Sequence, residues 1–417
     1  MTLPYDSQCL PRMALRMLLA ACLLSIAALA PAQAQVTVGE VELLSPTGNS
    51  PAITTDGRGG FVAVWGDLVG TTDRDIFGSL LPADGGSPRP PFKVNTRIAG
   101  FQGTPSVAAG PDGAFMVVWQ GGDFINGAGG DGDKEGVFGQ VFGRAGVRQG
   151  PQRRLSHTIA GAQIFPKVAA VEDGSFVAVW ADRRTARFEV VARRFSPTGV
   201  PVGPDLPMKV GGEYNNPAGI ATYPGGFAVA WEEGFSCSGG RSDGSFAAIA
   251  RFDPSGRMAG RVFRVGSHQC GKGSSIAALT GSQAGALAIL GSAAGYVVQR
   301  FSPSGDAVGG QFALLQRPIC SEEGCDFINT AAMDDFGRFA VVWEVTDHGV
   351  RNLFVQAFNP RGRPLTGRVL ISPSPGSSLG LPAIALANDG TLAVVWRREG
   401  SNLPDEDGLF VRRFRLP

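Results

Sequence analysis

The sequence predicts an all-β fold, a seven-bladed β-propeller of four-stranded blades, because one strand pattern recurs along nearly the whole chain. All six tryptophans end the same pattern, a glycine-rich turn followed by an apolar run such as GSFVAVW. A seventh copy, GALAILG, has glycine in the tryptophan place. These seven positions are Trp65, Trp119, Trp180, Trp231, Gly291, Trp343 and Trp396.

Each copy contains four short strands, here called a to d, over about 55 residues. Strand a is small and apolar, and in five copies a proline stands 14 residues before the tryptophan. Strand b carries the tryptophan, strand c resembles FGQVF and strand d resembles FKV. A β-solenoid is the alternative, but its coils are normally shorter and lack a four-stranded meander.

The two ends of the chain predict how the ring closes. The seventh copy stops after its strand c, whereas VGEVELLSP (38–46) resembles a lone strand d ahead of the first copy. We therefore expect the N-terminal strand to complete the last blade, which leaves no open edge between the first and last units. Residues 35–417 then form one domain.

Residues 1–34 are predicted to be a signal peptide and lie outside this domain. A continuous apolar run at 17–30 is followed by AQA at 32–34, so we expect cleavage after Ala34. Met13 is an alternative start, and a lipid anchor on Cys22 is disfavoured because few apolar residues precede it. We expect a periplasmic or secreted protein with no transmembrane segment in the mature chain.

Four cysteines remain after cleavage, and an even number in an oxidising compartment predicts two disulfides. Cys237 and Cys270 fall in connections at the same end of the fourth blade. Cys320 and Cys325 could close a small loop, CSEEGC. Their spacing does not match paired C-x-x-C metal sites.

The charge balance bears on the class of partner. The chain has 37 basic and 36 acidic residues, which argues against nucleic-acid binding, since such proteins usually have a basic excess. We expect a monomer whose partner is a glycan or an envelope or surface protein.

The loops on one face differ from copy to copy, and we expect ligand binding there. A meander places the b–c and d–a connections on one face and the a–b and c–d turns on the other. The turns are nearly uniform, whereas the b–c loops are polar and variable, as binding loops on rigid scaffolds usually are. Candidate ligand-binding residues are Asp67, Asp73, Asp75, Asp123, Asp182, Arg183 and Arg184. The alternative is that these loops are solvated connectors.

One short motif, DGDKEG (131–136), resembles the start of a calcium loop, with Asp131, Asp133 and Glu135 alternating before glycine. Its carboxylate oxygens could point at one hard cation. However, the twelfth position is Phe142, so half of the usual ligand set is missing. We expect no cofactor, and calcium at this motif is the alternative. The histidines lie on the same face without metal-ligand spacing: His157, His268 and His348.

No sequence signature of catalysis appears. The chain has no G-x-S-x-G elbow and no P-loop or dinucleotide fingerprint. Paired carboxylates could serve a glycosidase, but nothing singles out two of the 36 acidic residues. The tryptophans are better explained as core than as a sugar-stacking surface, because they share one register.

The repeat resembles one that is widespread in exported bacterial proteins, G-x-F-V-V-x-W, a D/G-rich loop, G-I-x-G-Q-x-F-x-x-x-G, then F-x-V-N. Residues 113–120, 130–146 and 92–96 carry the likeness, which covers essentially all the mature chain. Such repeats occur in surface and secreted proteins, and the resemblance implies an architecture without transferable catalytic residues.

Three hypotheses about function follow. The leading one is an exported, non-enzymatic scaffold that presents its variable loops to a ligand. The second is a hydrolase or lyase acting on extracellular polysaccharide, and the third is a structural or adhesive module. Carboxylates converging at the channel mouth would favour the enzyme, whereas an apolar or aromatic patch on the b–c face would favour the binder.

Overall fold

The fold was analysed in a computed structural model of the chain. It describes residues 36–417 apart from the following segments: 71–72, 97–99, 123–131, 185–187, 209–213, 236–243, 266–274, 293–294, 316–319, 322–323, 348–349, 373–377, 381 and 401–406. At some strand ends only the backbone is described, including that of Cys320 and Cys325.

The described chain is all-β. Strand β1 (Thr37–Ser45) precedes the first blade, which contains β2 (Asn49–Thr55), β3 (Phe61–Val69), β4 (Asp73–Leu81) and β5 (Phe92–Lys93). The second blade contains β6 (Gln102–Ala109), β7 (Phe115–Gly121), β8 (Gly136–Phe142) and β9 (Arg148–Arg154). The third contains β10 (Gln163–Ala170), β11 (Phe176–Asp182), β12 (Glu189–Phe195) and β13 (Pro201–Pro207). The fourth contains β14 (Tyr214–Tyr223), β15 (Gly226–Phe235), β16 (Gly244–Phe252) and β17 (Phe263–Val265).

The remaining three blades follow the same plan. The fifth contains β18 (Ser275–Ser282), β19 (Gly285–Ser292), β20 (Gly295–Phe301) and β21 (Ala307–Leu315). The sixth contains β22 (Cys320–Ser321), β23 (Gly324–Met333), β24 (Phe339–Asp347), β25 (Val350–Phe358) and β26 (Val369–Ser372). The seventh contains β27 (Ser378–Leu379), β28 (Ala383–Leu386), β29 (Thr391–Glu399) and β30 (Gly408–Arg415).

The seven sheets form a ring, which confirms the predicted seven-bladed propeller. Each sheet is an antiparallel meander, and the innermost strand of each blade contacts that of the next, from β2 through β6, β10, β14, β18 and β23 to β28 and back to β2. Strand β1 pairs antiparallel with β30, so the N-terminal strand completes the last blade as predicted. This pairing covers the outer edge of β30.

The tryptophan of each strand b packs against the preceding blade. Trp180 shares a buried cluster with Val137 and Leu155 of blade 2, whereas its neighbour Val179 packs toward blade 4. Successive side chains of a strand point to opposite faces of the sheet, so one strand serves two neighbours. Every tryptophan is among the most deeply buried side chains. The recurring tryptophan therefore holds blades together, as the sequence predicts.

The face formed by the a–b and c–d turns is called the constant face, and the opposite one the variable face. On the constant face, aspartates accept backbone N–H groups of their own turns: Asp56 from Arg58 and Gly60, Asp112 from Ala114, Asp173 from Ser175 and Asp253 from Ser255 and Arg257. A glycine at positive φ, such as Gly113 at 81°, completes the reversal, because non-glycine residues are disfavoured there. These turns are uniform because the reversal itself requires their residues.

Strand a contains a bulge near the variable face, and its form differs around the ring. In blade 1, Asn49 pairs with Gly66 and Ala52 with Val64, so Ser50 and the proline after it lie opposite a single tryptophan. The same irregularity recurs in β6 and β10. In β14, β18 and β23 the shift skips one strand-a residue instead of two. The bulge residue before proline has a positive φ in three blades: Ser50, Thr104 and Phe165.

Candidate functional site

A central channel runs between the seven innermost strands. Its constant-face half is a cavity of about 630 Å³, lined by small and aliphatic residues of strand a and by residues of the a–b turns. The turns place Arg58, Glu172 and Asp335 at the constant-face mouth. A cavity of this size, bordered by polar groups, could accommodate a small ligand.

Three carboxylates around the constant-face mouth already have partners. Asp334 accepts the Nε–H of Arg338 at 2.6 Å, and Asp335 accepts the backbone N–H of Gln283 at 2.9 Å. Asp389 accepts the hydroxyl of Thr391. These bonds fix the turns and tie neighbouring blades, so the arrangement is structural and does not resemble a pair of carboxylates poised for acid–base work.

Lys167 lies near the middle of β10, one residue before Val168, where the cavity lining begins. Its side chain is partly exposed, and burial among the neighbouring strands lowers the pKa of its ammonium. No hydrogen bond or ion pair offsets that burial. A desolvated ammonium without a partner is a candidate anion-binding group.

Phe165 stands two residues before Lys167, at the mouth of the channel on the variable face. Its φ is 55°, in the left-handed region that side chains other than glycine, asparagine and aspartate rarely occupy. Its ring is nevertheless 38% exposed, and its backbone N–H donates to Oε1 of Gln120 in blade 2 at 3.3 Å. The bulge thus turns an aromatic ring toward solvent at the inner rim of the ring of blades.

Glu232 brings a carboxyl to the same face between blades 4 and 5. It follows Trp231 directly, as Gln120 follows Trp119, and its Oε1 accepts the backbone N–H of Ile276 in the next blade at 3.4 Å. Burial raises the pKa of this carboxyl, and the Ile276 bond opposes the rise. A carboxyl that retains its proton to higher pH can act as a hydrogen-bond or proton donor.

Asp182, a predicted ligand-binding residue, is fully buried and holds Arg184. Its two oxygens accept Nε–H and Nη2–H of Arg184 at 3.1 and 2.7 Å. In blade 1 the equivalent aspartate accepts the tryptophan indole N–H, but the indole nitrogen of Trp180 has no partner. The carboxylate of Asp182 is therefore directed to the arginine, which also approaches Asp205 at 3.8 Å.

Arg183 points away from this network and is exposed. Its guanidinium lies 5.3 Å from the ring centre of Phe188, a cation–π distance. Its backbone N–H donates to the carbonyl of Ala162, which ties the b–c loop to the d–a connection. Ile159 in that connection is 46% exposed. The structure thus places Arg183 and Arg184 of the predicted set in one region of blade 3.

The predicted residues of blade 1 have different positions. Asp67 accepts the hydroxyls of Ser45 and Thr47 and the indole N–H of Trp65, so it binds the end of β1 to the first blade. Asp75 is buried and bound by Lys93 at 2.5 Å and by the amide of Asn95 at 2.6 Å. Asp73 is exposed on the same strand. Asp123 lies outside the described residues.

The calcium-like motif is only partly described, because Asp131 lies outside the described residues. Oδ2 of Asp133 accepts the backbone N–H of Gly161 at 2.7 Å, and the carbonyl of Glu135 accepts that of Gln163. Glu135 is 2% exposed and its Oε1 has no partner. Within the described ranges no group of three histidine, cysteine, aspartate or glutamate residues is arranged to hold a metal ion.

The backbone register bears on one of the predicted disulfides. Cys320 and Cys325 face each other directly in the β22–β23 hairpin. Opposite residues of antiparallel strands have Cα atoms about 4.5–5.5 Å apart, within the range of disulfides. The bond between them stays a prediction. Cys237 and Cys270 lie outside the described residues.

Sequence reasoning missed Lys167, Phe165 and Glu232, although one signal was available. At the same sequence distance before the tryptophan position, the other six copies have alanine, serine or threonine: Ala52, Ser106, Ala218, Ala278, Thr330 and Ala383. A lysine at a position otherwise filled by small residues is conspicuous once the repeats are aligned. The strain at Phe165 and the burial of Glu232 have no counterpart in sequence pattern.

The chain has structural neighbours, but no family model and no curated protein matches it. A protein of unknown function from Dyadobacter fermentans superposes with a TM-score of 0.52 at 11% identity, over 92% of this chain and 99% of that one. The polysaccharide lyase Uly1 superposes with a TM-score of 0.51 at 10% identity, over 89% of this chain and 90% of that one. At these identities the likeness shows the fold alone.

In the part of the chain that the structure describes, no helix has the length and apolar character needed to cross a membrane.

Proposed function

We propose that this chain is an exported, non-enzymatic binding protein that holds a glycan or an envelope protein on its variable face. The observation that carries the proposal is the combination of exposed apolar and cationic side chains there. Ile159 and Phe165 are 46% and 38% exposed, and Arg183 is exposed beside Phe188. Aromatic rings and guanidinium groups are typical anchors of recognition surfaces.

The scaffold beneath these side chains supports binding because it is rigid. Asp182 is fully buried and fixes Arg184, while Asp205 accepts the backbone N–H of His157 and lies 3.5 Å from Arg193. These contacts join the b–c loop, the d–a connection and the strands of blade 3. A preorganised surface loses less conformational entropy when a ligand binds.

The mature chain, residues 35–417, tests the proposal in a glycan array and in a pull-down from an envelope extract. We expect a retained glycan or protein, and we expect Arg183→Ala to weaken its binding at least fivefold. Arg58→Ala is the matched control, because it removes an exposed arginine at the constant-face mouth. Retention of nothing, or equal losses for both variants, would contradict the proposal.

The enzymatic alternative has one observation in its favour, the raised pKa of Glu232. If the chain cleaves polysaccharide with Glu232 as proton donor, Glu232→Gln should abolish release of reducing ends from a panel of bacterial and plant polysaccharides. Unchanged release would remove Glu232 from the mechanism, and no release by the wild type supports the binding role.

A further inference from the structure

We infer that the variable-face mouth of the central channel, at blade 3, binds an acidic sugar, a pyranose that carries a carboxylate. The ammonium of Lys167 pairs with the carboxylate, and the ring of Phe165 stacks on the apolar C–H face of the sugar. This inference rests on the proposed binding function and names its ligand class.

Lys167 carries a charge where the fold needs none. At the same distance before the tryptophan position, the other six copies hold alanine, serine or threonine. In blades 4 and 5 the bulge shifts the pairing, so Gly219 and Ile276 take the register of Lys167. None of these residues is charged, so the ring assembles without a charge at this register. In blade 2 that residue is Ser106, whose hydroxyl accepts the backbone N–H of Val168 and joins two innermost strands. Lys167 makes no comparable bond, so it adds an uncompensated desolvation penalty at the channel wall. A bound anion would compensate it.

Phe165 also lowers the stability of the fold. A left-handed backbone disfavours a residue with a Cβ, and exposure leaves part of its ring without packing partners. In blade 2 the equivalent Thr104 also has a positive φ, and its hydroxyl is buried without a partner. Strain of this kind tends to persist where a site requires it. Phe165 and Thr104 occupy the same bulge position in neighbouring blades.

The two side chains together specify the ligand. Phe165 lies at the rim, and Lys167 lies two residues deeper on the same strand, next to the start of the cavity lining. An ammonium alone would suit any anion, and a phenyl ring alone would suit any apolar surface. A uronic acid presents a carboxylate and an apolar ring face within one residue, so it can engage both side chains.

The carboxyl groups on this face do not block the pairing of Lys167 with the carboxylate of a ligand. On the same face of blade 3 the carboxylate of Asp182 is bound by Arg184, and in blade 4 the carboxyl of Glu232 has a raised pKa, which favours its neutral form. It bonds to the backbone N–H of Ile276 toward blade 5, away from β10. A protonated carboxyl there could also donate a hydrogen bond to the ligand.

The first test removes the charge. Titration calorimetry would measure binding of hexagalacturonate, hexamannuronate and a heparosan hexasaccharide to the mature chain, with cellohexaose as the neutral probe. We expect at least one uronate probe to bind, and Lys167→Ala to raise its Kd at least tenfold without lowering Tm. Arg58→Ala, which removes a cation from the opposite mouth, should change Kd less than twofold.

The second test removes the ring. Phe165→Ala should raise the Kd of the same probe about tenfold, whereas Phe327→Ala should leave it within twofold. Phe327 is the matched control, since it is an equally exposed phenylalanine on the same face, in blade 6. Phe165→Gly adds a further check, because glycine accepts the positive φ. Its Tm should stay the same or rise while binding is lost.

The outcomes separate this inference from the proposed function. A uronate probe that binds equally well to Lys167→Ala and Phe165→Ala overturns the site but leaves the binding function standing. A wild type that binds only cellohexaose, or only an envelope protein, overturns the ligand class alone. A wild type that retains no glycan and no protein overturns both.

Discussion

The two faces of the ring use acidic and basic side chains for different purposes. On the constant face, Asp334 accepts the backbone N–H groups of Phe336 and Arg338 and is bound by the Arg338 side chain. On the variable face, Arg183 is exposed and Lys167 has no polar partner. A tight turn uses its polar groups to reverse the chain, whereas the longer b–c loop of blade 3 leaves Arg183 exposed.

Whether a charged side chain near the end of strand b is structural or exposed depends more on its position along the chain than on its residue type. Asp67 and Asp182 also lie on the variable face, but each stands two residues after a tryptophan, where strand b still pairs with its neighbours. Both carboxylates are used to hold structure. Arg183, one residue further along than Asp182, is exposed. In blade 3 the change from buried, structural side chains to exposed ones along this segment therefore falls at the end of strand b.

The largest effect is expected on the constant face, from Asp334→Ala. The substitution removes a buried carboxylate and leaves Arg338 and two backbone N–H groups without it, so we expect a loss of about 3 kcal/mol in the free energy of unfolding. Urea denaturation would measure it. A loss below about 1 kcal/mol would show that the turn does not depend on its aspartate.

Asp67→Ala tests whether the variable face also contains structural carboxylates. The indole N–H of Trp65 and two hydroxyls lose their acceptor, and we expect a loss of about 2 kcal/mol. Asp73→Ala is the control, since Asp73 is exposed on the adjacent strand and should change stability by less than about 0.5 kcal/mol. Equal effects would contradict the assignment of Asp67 to ring closure.

The hairpin that contains Cys320 and Cys325 also lies on the variable face. A bond between opposite residues of β22 and β23 would stabilise the fold by about 2 kcal/mol, chiefly by constraining the unfolded chain. We expect no alkylation of these thiols in the unreduced mature protein, and complete alkylation after reduction, as measured by intact mass. Alkylation before reduction would disprove the disulfide.

The smallest effect on stability is expected from Arg183→Ala. Its guanidinium is exposed and contacts one ring, so the free energy of unfolding should change by less than about 0.5 kcal/mol. Binding to the ligand of the wild type should nevertheless weaken. A large loss of stability would place Arg183 with the structural residues and remove the contrast between the faces.

The sequence predicted the architecture well because the fold depends on repeated, local patterns. The tryptophan register, the strand order and the closing strand all follow from alignment of the copies, and the structure confirms them. The roles of individual side chains were less accessible, because they depend on which partner each polar group meets in the folded chain. Nothing local shows that Asp75 meets Lys93 and Asn95, or that Asp182 binds Arg184 while the Trp180 indole lacks a partner.

The candidate site was missed for a related reason. The sequence predicts binding in the long, polar loops, whereas Phe165 and Lys167 belong to an innermost strand that the sequence assigns to the scaffold. The left-handed φ of Phe165 arises from a bulge opposite Trp180, and the same proline spacing in blade 4 gives a different bulge. Proline spacing alone therefore could not identify the strained residue.

The pairing of β1 with β30 has a consequence for the timing of folding. It joins residues nearly a full chain length apart, as in the ion pair between Glu42 and Arg413, which are 371 positions apart. Six blades can form as soon as their own residues are available, but the seventh needs both ends of the chain. Contacts of such long range form slowly. Completion of the ring should be the last step, and until then β1 and β30 remain unpaired edges, open to a second chain.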